Sequence, residues 1–430
     1  MKLIQRYYLF GFVLLSMSSY LNSMIMDNRY FPWMPHLYNG TDHRHGCLYV
    51  EPFFITAASA SKIKPGVRAE DQEYGFPNLL GTQSTDTQNP QSSLNYTELA
   101  SALTTLGLEN PIPADWQYIQ NFAVDMQGSF QGQGLSVAGY IPFTNHIGMG
   151  GSMLFMNLTT QANLTPSKTV QGMINYNAAG NQAKFADLTE SFESLVNTKE
   201  GFLKKFGTGD IEIYLRGYDV QDYIYFCRKV DRSICLGLFI PTGLESTIHN
   251  IASVPFGGNG FWGWYVAPEL EIELKEDWKV GFDIRLEKRF AKTIKSRIPI
   301  INEAPLFAPL IGDVKVNPGI TFCVAPYFAL QHIREGLAAM IKYTYVLHAK
   351  DQFTDTRTTQ TPEANFTNMI ADSKWIQEYI ALEFLYDLSF KQSWEYTPLF
   401  TLSIDVPLTL AGARGSSQTY RISLGATVDF

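Results

Sequence analysis

Charged residues, cysteines and long apolar runs are all scarce in this chain of 430 residues. Charged side chains make up 17% of the sequence, below the roughly 25% of an average soluble domain. Acidic residues (41) outnumber Lys and Arg (33), and the net charge of −8 argues against a general nucleic-acid-binding protein, which needs a basic surface. Four cysteines are too few for a disulfide scaffold. No apolar run reaches the length of about 20 residues that a membrane-spanning helix needs.

The N-terminus has the composition of an export signal. Lys2 and Arg6 precede an apolar stretch at residues 7–15, and small and polar residues follow at 16–23. This order predicts a cleaved signal peptide over residues 1–23 and a periplasmic segment over 24–46. A buried N-terminal helix is the alternative interpretation.

The C-terminal residues 420–430 alternate between apolar and polar side chains, and this period of two predicts a β-strand with one apolar face. The pattern resembles the final strand of Gram-negative outer-membrane β-barrels, which ends in Phe after such alternation and is read by the barrel-assembly machinery. The resemblance implies an outer-membrane location, contact with outer-membrane lipid, and an assembly signal. The residues of that signal are Tyr420, Ile422, Leu424, Val428 and Phe430.

The same alternation recurs along the chain and predicts about twelve strands, within a range of roughly 10–14. They fall at residues 47–58, 129–143, 148–160, 209–226, 232–243, 261–274, 279–289, 318–332, 337–349, 374–389, 394–409 and 419–430. Their connections alternate between short turns and long loops, which is typical of outer-membrane barrels with periplasmic turns. Only a closed sheet pairs every backbone group in hydrocarbon, where an unpaired one costs several kcal/mol.

We therefore expect an all-β fold, a transmembrane antiparallel up-and-down barrel that is porin-like and forms a single unit over residues 47–430. A secreted or periplasmic all-β protein is the alternative. The longest outer loops, 59–128 and 161–208, carry helix-like patterns at residues 97–108 and 183–202. Aromatic residues near the strand ends suggest two interfacial girdles, with Trp262, Trp264 and Trp375 at the outer one.

Charged residues on two neighbouring strands are the first candidates for a functional site. One strand carries Glu269, Glu271 and Glu273 on a single face, and the next carries Lys279, Asp283 and Arg285. Glu273 with Lys279, or Glu269 with Arg285, are possible cross-strand pairs. In a water-filled lumen such charges would set ion preference. An ion-paired lining that only fills the barrel is the alternative.

A basic run enters the loop after the second of these strands. Its members are Lys288, Arg289, Lys292, Lys295 and Arg297. Lys and Arg bind phosphates, so lipopolysaccharide is one expected partner. An anion-attracting constriction and a plain solvated loop are the other two interpretations.

Histidines and cysteines suggest two further sites. His43, His45 and Cys47 share one face of an extended chain and could bind a metal, with Asp42 or water as a fourth ligand. More often, such residues belong to an exposed periplasmic segment before the first strand. Cys227 and Cys235 flank a short turn and could form a disulfide in an oxidising compartment.

The sequence as a whole favours a channel for passive or selective diffusion of small polar solutes. No nucleophile–base motif is evident, so we expect neither an enzyme nor a cofactor. A non-conducting surface barrel whose outer loops bind a partner is the alternative function. Residues 238–243 (LFIPTG) are similar to a phrase in channel barrels for aromatic or hydrophobic compounds, but the charged lumen argues against that substrate class.

Overall fold

The computed structural model describes residues 27–31, 46–61, 124–166, 171–172, 175–195, 201–222, 227–300, 305–308, 310–390 and 397–430. The strands are β1 (Cys47–Ala57), β2 (Val124–Pro142), β3 (Ile147–Pro166), β4 (Gly201–Thr208), β5 (Ile211–Asp222), β6 (Lys229–Ile240), β7 (Gly263–Lys275), β8 (Trp278–Arg289), β9 (Lys292–Arg297), β10 (Ile311–Asn317), β11 (Ile320–Arg334), β12 (Leu337–His348), β13 (Gln352–Asp355), β14 (Trp375–Asp387), β15 (Thr397–Leu408) and β16 (Tyr420–Asp429). The helices are α1 (Asn181–Leu195), α2 (Thr367–Ser373) and a 3₁₀ turn at Pro305–Phe307.

Antiparallel pairing closes the sheet into a twelve-strand barrel. The first strand β1 pairs with the last strand β16, where Leu48 lies opposite Val428 and Thr56 opposite Tyr420. Around the rest of the wall each strand pairs with its neighbours, and β8 pairs directly with β11 and β12 with β14. The barrel predicted from the sequence is confirmed. We call the end with the short connections the turn end and the opposite end the loop end.

One wall strand is interrupted near the loop end. The strand predicted over 209–226 is observed as β5. A further strand, β4, precedes it within the region expected as the loop 161–208, and Gly209 and Asp210 separate the two. Both parts pair with β3, so they follow one path along the wall. The Asp210 side chain is buried and accepts hydrogen bonds from the amides of Gly243 (3.0 Å) and Gly258 (2.8 Å). The Gly209 amide still donates to the Leu154 carbonyl of β3 (3.0 Å), so backbone pairing with β3 continues at the break.

Three strands leave the wall and form a separate small sheet at the loop end, in the order β13–β10–β9. Val314 and Val316 of β10 are buried in an apolar cluster with Phe261 and Ile298. We call this sheet together with α2 the cap. The sequence predicts loops for these segments, so the cap is an addition that only the structure shows.

Side chains alternate between the two faces of the wall, as the period of two predicts. Outward side chains such as Leu236, Phe282 and Leu424 are exposed on the outer surface. Inward side chains are mostly buried in the lumen. Several inward tyrosines lie against glycines of the adjacent strand. A Cβ atom on Gly281 would lie 1.8 Å from Cζ of Tyr327, and one on Gly237 would lie 2.0 Å from Cε1 of Tyr265.

Residues 27–31 lie against loop-end residues of the barrel, which differs from the periplasmic placement expected for 24–46. Asn28 donates to the Pro255 carbonyl (3.0 Å), and Arg29 donates to the Asp372 carbonyl (2.8 Å). The Tyr30 carbonyl accepts bonds from the hydroxyls of Ser417 and Thr419. We call residues 27–31 the inner segment. Residues 32–45 lie outside the described part of the chain.

The two predicted loop helices have different outcomes. The pattern at 97–108 lies outside the described residues. The pattern at 183–202 gives α1, which ends at Leu195, while Phe202 belongs to β4. Phe202, Lys204 and Phe206 alternate as exposed residues, which is the period of a strand and not of a helix. None of the helices in the described residues is long and apolar enough to cross a bilayer.

Candidate functional site

The described residues surround a cavity of about 340 Å³ at the loop end of the barrel. The inner segment forms one wall, and the cap forms the opposite wall through Ile294, Val316 and Phe353. Arg289, His348 and Trp375 of the barrel rim also line it. A cavity of a few hundred Å³ is large enough for a small organic molecule.

The exposed surface of the cavity lining is mainly apolar, and ten of the 22 lining residues are apolar or aromatic. These residues are Tyr30, Pro255, Phe261, Ile294, Pro305, Val316, Pro318, Phe353, Met369 and Trp375. Trp375 was expected in the outer aromatic girdle, but it points inward and stacks on His348 with ring centroids 5.4 Å apart. Its position at the start of β14 has the parity of the inward residues Gln377 and Tyr379. An apolar lining with a few placed polar groups is typical of small-molecule sites.

Arg289 connects three separate parts of the chain beside this cavity. Its guanidinium contacts both carboxylate oxygens of Asp27 (2.8 and 3.2 Å) and lies 2.9 Å from Asp210. It also donates to the Phe261 carbonyl. Two buried carboxylates therefore share one buried cation, and the two-point contact fixes the orientation of Asp27.

His348 organises the polar side of the cavity. Its Nε2 atom lies 2.9 Å from Asp351 Oδ1, and its Nδ1 atom lies 2.7 Å from Thr321 Oγ1. The same Asp351 oxygen accepts the Gly319 amide (2.6 Å), and the Asp351 amide donates to Ser373 Oγ (2.8 Å). These bonds attach the cap to the barrel rim, because Ser373 belongs to α2.

The six lumen residues identified from the sequence all face inward, and one of the two expected cross-strand pairs is observed. The register places Glu273 opposite Lys279. The Lys279 ammonium lies 2.8 Å from Glu271, and Glu273 lies 3.5 Å from Arg228. The register places Glu269 opposite Asp283, so the expected pair of Glu269 with Arg285 is wrong. Glu269 instead binds Arg216 (2.5 Å), two strands away.

Further ion pairs continue around the lumen. Arg285 contacts Glu212 (3.1 Å) and Glu287 (2.5 Å), and Lys342 lies 3.7 Å from Asp283. Arg421 binds Asp405 on the neighbouring strand. The side chains of Lys279, Arg285 and Lys342 are at most 10% exposed. These charges therefore neutralise one another within a packed interior, whereas charges lining a wide aqueous pore would be exposed.

Apolar side chains fill the opposite side of the lumen towards the loop end. Phe31 of the inner segment packs edge-on against Phe130, with ring centroids 5.7 Å apart. Phe53, Ile55 and Phe256 belong to the same buried cluster. The inner segment thus fills the lumen beneath the cavity with aromatic side chains.

Comparisons with solved structures give the fold class. The COG4313 outer-membrane channel from Pseudomonas putida F1 aligns over 93% of this chain and 100% of its own, with 9% identity and a TM-score of 0.50. The Pseudomonas putida toluene transporter TodX (95% and 98% covered, 10% identity, TM-score 0.30) and a Pseudomonas aeruginosa FadL homologue (90% and 90%, 7%, 0.32) are more distant. No family model and no curated protein sequence matches the chain.

The protein has the fold of an outer-membrane β-barrel. This agrees with the resemblance found in the C-terminal strand and with the twelve closed strands. In this barrel Tyr420, Ile422 and Leu424 face outward and are exposed. Val428 pairs with Leu48 of β1 and Pro398 of β15, and Phe430 exchanges backbone hydrogen bonds with Gly46. The last strand of the barrel thus forms its closing seam.

The basic run does not form one surface on the barrel. Arg289 points into the lumen, and Arg297 is buried and donates to the carbonyls of Ile248 and Ala308. Lys288 binds the Pro318 carbonyl, and Lys292 binds Glu245 (3.2 Å). Lys295 is exposed on the cap. A shared phosphate site is not supported, because the side chains diverge and four of them already bind protein groups.

The expected disulfide is not formed. Cys227 and Cys235 are both free cysteines. Cys227 lies in the turn, whereas Cys235 lies well inside β6, and at about 3.3 Å per residue this separates them far beyond disulfide reach. Cys235 packs among lumen tyrosines, with Cys47 beside the same cluster. His43 and His45 lie outside the described residues, so the metal hypothesis remains a prediction.

Sequence reasoning missed the inner segment and the cap residues of the cavity. Asp27 and Tyr30 carry no pattern of their own, because an isolated stretch inside a lumen has no periodicity. Arg289 was detectable: it has the same parity along β8 as Asp283 and Arg285, which predicts an inward position. His348 has the same parity along β12 as Lys342 and Thr344, which predicts an inward position, but its partner Asp351 follows the end of that strand.

Proposed function

We propose that the protein is an outer-membrane channel whose loop-end cavity admits small molecules with a substantial apolar surface. The observation that carries this proposal is the cavity of about 340 Å³ with its mainly apolar and aromatic lining. A solute of one ring or a short chain fits such a volume and gains free energy from leaving water, at about 25 cal/mol for each Å² of apolar surface buried. The barrel fold supplies the route across the membrane.

The second candidate is the channel for small polar solutes that the sequence favours. The ion pairs of Glu269, Glu271 and Asp283 give the lumen a polar wall that would suit such solutes. This candidate requires the packed interior to open, since those charges are buried in their pairs. A non-conducting surface barrel predicts neither solute binding nor uptake.

Binding of a neutral aromatic probe tests the first candidate. We expect purified protein in nanodiscs to bind benzyl alcohol above the level of protein-free nanodiscs, and not to bind arabinose. Ser296→Trp should abolish that binding, because Ser296 lines the cavity and an indole there would fill it. Thr293→Trp, on the exposed face of the same strand, is the matched control and should leave binding unchanged.

Uptake into liposomes separates the candidates. Entry of benzyl alcohol that is lost in Ser296→Trp supports the apolar-solute channel. Swelling with arabinose that is equal in both variants, together with no benzyl alcohol binding, would favour the polar-solute channel. No binding and no uptake of either probe would leave the surface barrel.

A further inference from the structure

The loop-end cavity has more carboxylates than cations among its described lining residues. Asp27, Asp351 and Asp372 line it, together with Arg29 and Arg289. Asp210, which does not line the cavity, adds a fourth carboxylate through its ion pair with Arg289. We propose, on the basis of the proposed function, that the cavity prefers small organic cations with an aromatic or aliphatic body over anions of the same shape.

Both guanidinium groups of the cavity are engaged by the protein. Arg289 is 3% exposed and binds Asp27, Asp210 and the Phe261 carbonyl. Arg29 donates to the Asp372 carbonyl, and its guanidinium lies 5.6 Å from the centroid of the Tyr30 ring. An anionic solute would have to displace one of these contacts, and a displaced Asp27 would lose its cation inside the protein.

A cationic solute meets the opposite situation. Asp351 uses one oxygen, Oδ1, for both His348 and Gly319, and its side chain remains 20% exposed. A carboxylate held in this way can interact with an ammonium group without losing its existing bonds. Attraction between opposite charges a few ångströms apart is stronger at a partly buried site than in bulk water.

The aromatic side chains add a second attraction for a cation. Tyr30, Phe261, Phe353 and Trp375 contribute rings to the lining. The negative face of an aromatic ring attracts ammonium groups, and sites for organic cations use several such rings. An acidic surplus combined with these rings favours an amine over a carboxylic acid of equal size.

Three probes that share one ring test this preference: benzylammonium, benzyl alcohol and benzoate at neutral pH. We expect benzylammonium to bind at least about tenfold more tightly than benzoate, with benzyl alcohol between them. The ratio should fall as salt is raised, because screening weakens partly exposed charges. The salt series uses the wild-type protein alone and so does not depend on any variant folding.

Two neutralising variants locate the preference. Asp351→Asn and Asp372→Asn should each reduce the benzylammonium-to-benzoate ratio several-fold, while leaving benzyl alcohol binding within about twofold. Asp313→Asn is the control, since Asp313 is exposed in the cap strand β10 with Lys295 as its partner in register. It should leave the ratio unchanged.

The outcomes separate this inference from the proposed function. If benzyl alcohol binds but benzoate binds as tightly as benzylammonium, the cation preference is wrong and the apolar-solute cavity stands. If neither the two variants nor added salt changes the benzylammonium-to-benzoate ratio, the cation preference is also wrong. If none of the three probes binds, the proposed function fails and this inference fails with it.

Discussion

At the scale of single residues, Arg289 connects three segments that are far apart in the sequence. It joins the inner segment through Asp27, the β4–β5 break through Asp210, and the loop before β7 through the Phe261 carbonyl. Removing one member of a buried ion pair is costly because the remaining charge loses its counter-ion. Here the loss of one cation would leave two buried carboxylates, Asp27 and Asp210, without their positively charged partner.

Arg289→Met is therefore expected to destabilise the loop end by about 3–5 kcal/mol and to release the inner segment. Limited proteolysis near residues 27–31 should become faster, and the temperature of the heat-modifiable gel shift should fall. Adding Asp27→Asn should restore part of the loss, since one stranded charge is then removed. The control is Arg232→Met, whose partner Asp219 is exposed to solvent, so a much smaller loss is expected. Equal effects of the two substitutions would contradict this role.

The charged residues also show what a single sequence can and cannot specify at this scale. Strand parity correctly placed Glu269, Asp283 and Arg285 inside the barrel. Parity cannot specify which charges meet, because that depends on the register between strands and on reach across the lumen. Arg216 illustrates the second point, since it meets Glu269 across the intervening strand β6.

At the scale of elements, neighbouring strands fit together through tyrosines that cover glycines. Gly281 of β8 lies directly opposite Tyr327 of β11, and Gly237 of β6 lies opposite Tyr265 of β7. The absence of a side chain at the glycine lets the ring lie flat against the adjacent backbone. Each of these inward tyrosine rings thus occupies the space that a side chain at the opposite glycine would take.

Gly281→Ala is expected to destabilise the barrel by about 1–3 kcal/mol, because the added methyl group would overlap the Tyr327 ring. Gly217→Ala is the matched control. The atom nearest to a Cβ at that position is Ile234 Cγ2 at 3.8 Å, which is an ordinary contact. The urea midpoint of tryptophan fluorescence would measure both. A tolerated alanine at 281 would show that Tyr327 can move aside freely.

Most strands could be predicted because side chains alternate between the outward and the inward face along each wall strand. The expected strand at 337–349 is observed at Leu337–His348, and the one at 279–289 at Trp278–Arg289. The alternation does not reveal β4, which lies in the predicted loop before Asp210, or the short strands that pair in the separate cap sheet. The cap strand β13 has four residues, too few for a period of two to be recognised.

At the scale of the whole molecule, the lumen is filled from two sides. Ion pairs occupy the side of β7, β8 and β12, and the apolar cluster around Phe31 occupies the side of β1–β3. The inner segment belongs to the filling and not to the wall. Transport through the barrel would require these groups to rearrange.

Single-channel recording in planar bilayers should reflect this filling. We expect wild-type protein to show small or infrequent conductance steps. Replacement of residues 27–31 by a Gly–Ser linker of equal length should give larger steps, because the Phe31 and Tyr30 side chains leave the lumen. The same replacement of the exposed residues 358–361 of the cap region is the control. Equal conductance in both variants would mean that the inner segment does not limit the passage.

The seam between β1 and β16 has a consequence for how this molecule can be built. Its partners are separated by almost the entire chain, so the ring stays open until the final strand has been synthesised and docked. A nascent or shortened chain would have two unpaired edges, each able to join the edge of another molecule. Barrel closure should therefore be nearly all-or-none. We expect a chaperone to cover the unpaired strands until β1 and β16 pair.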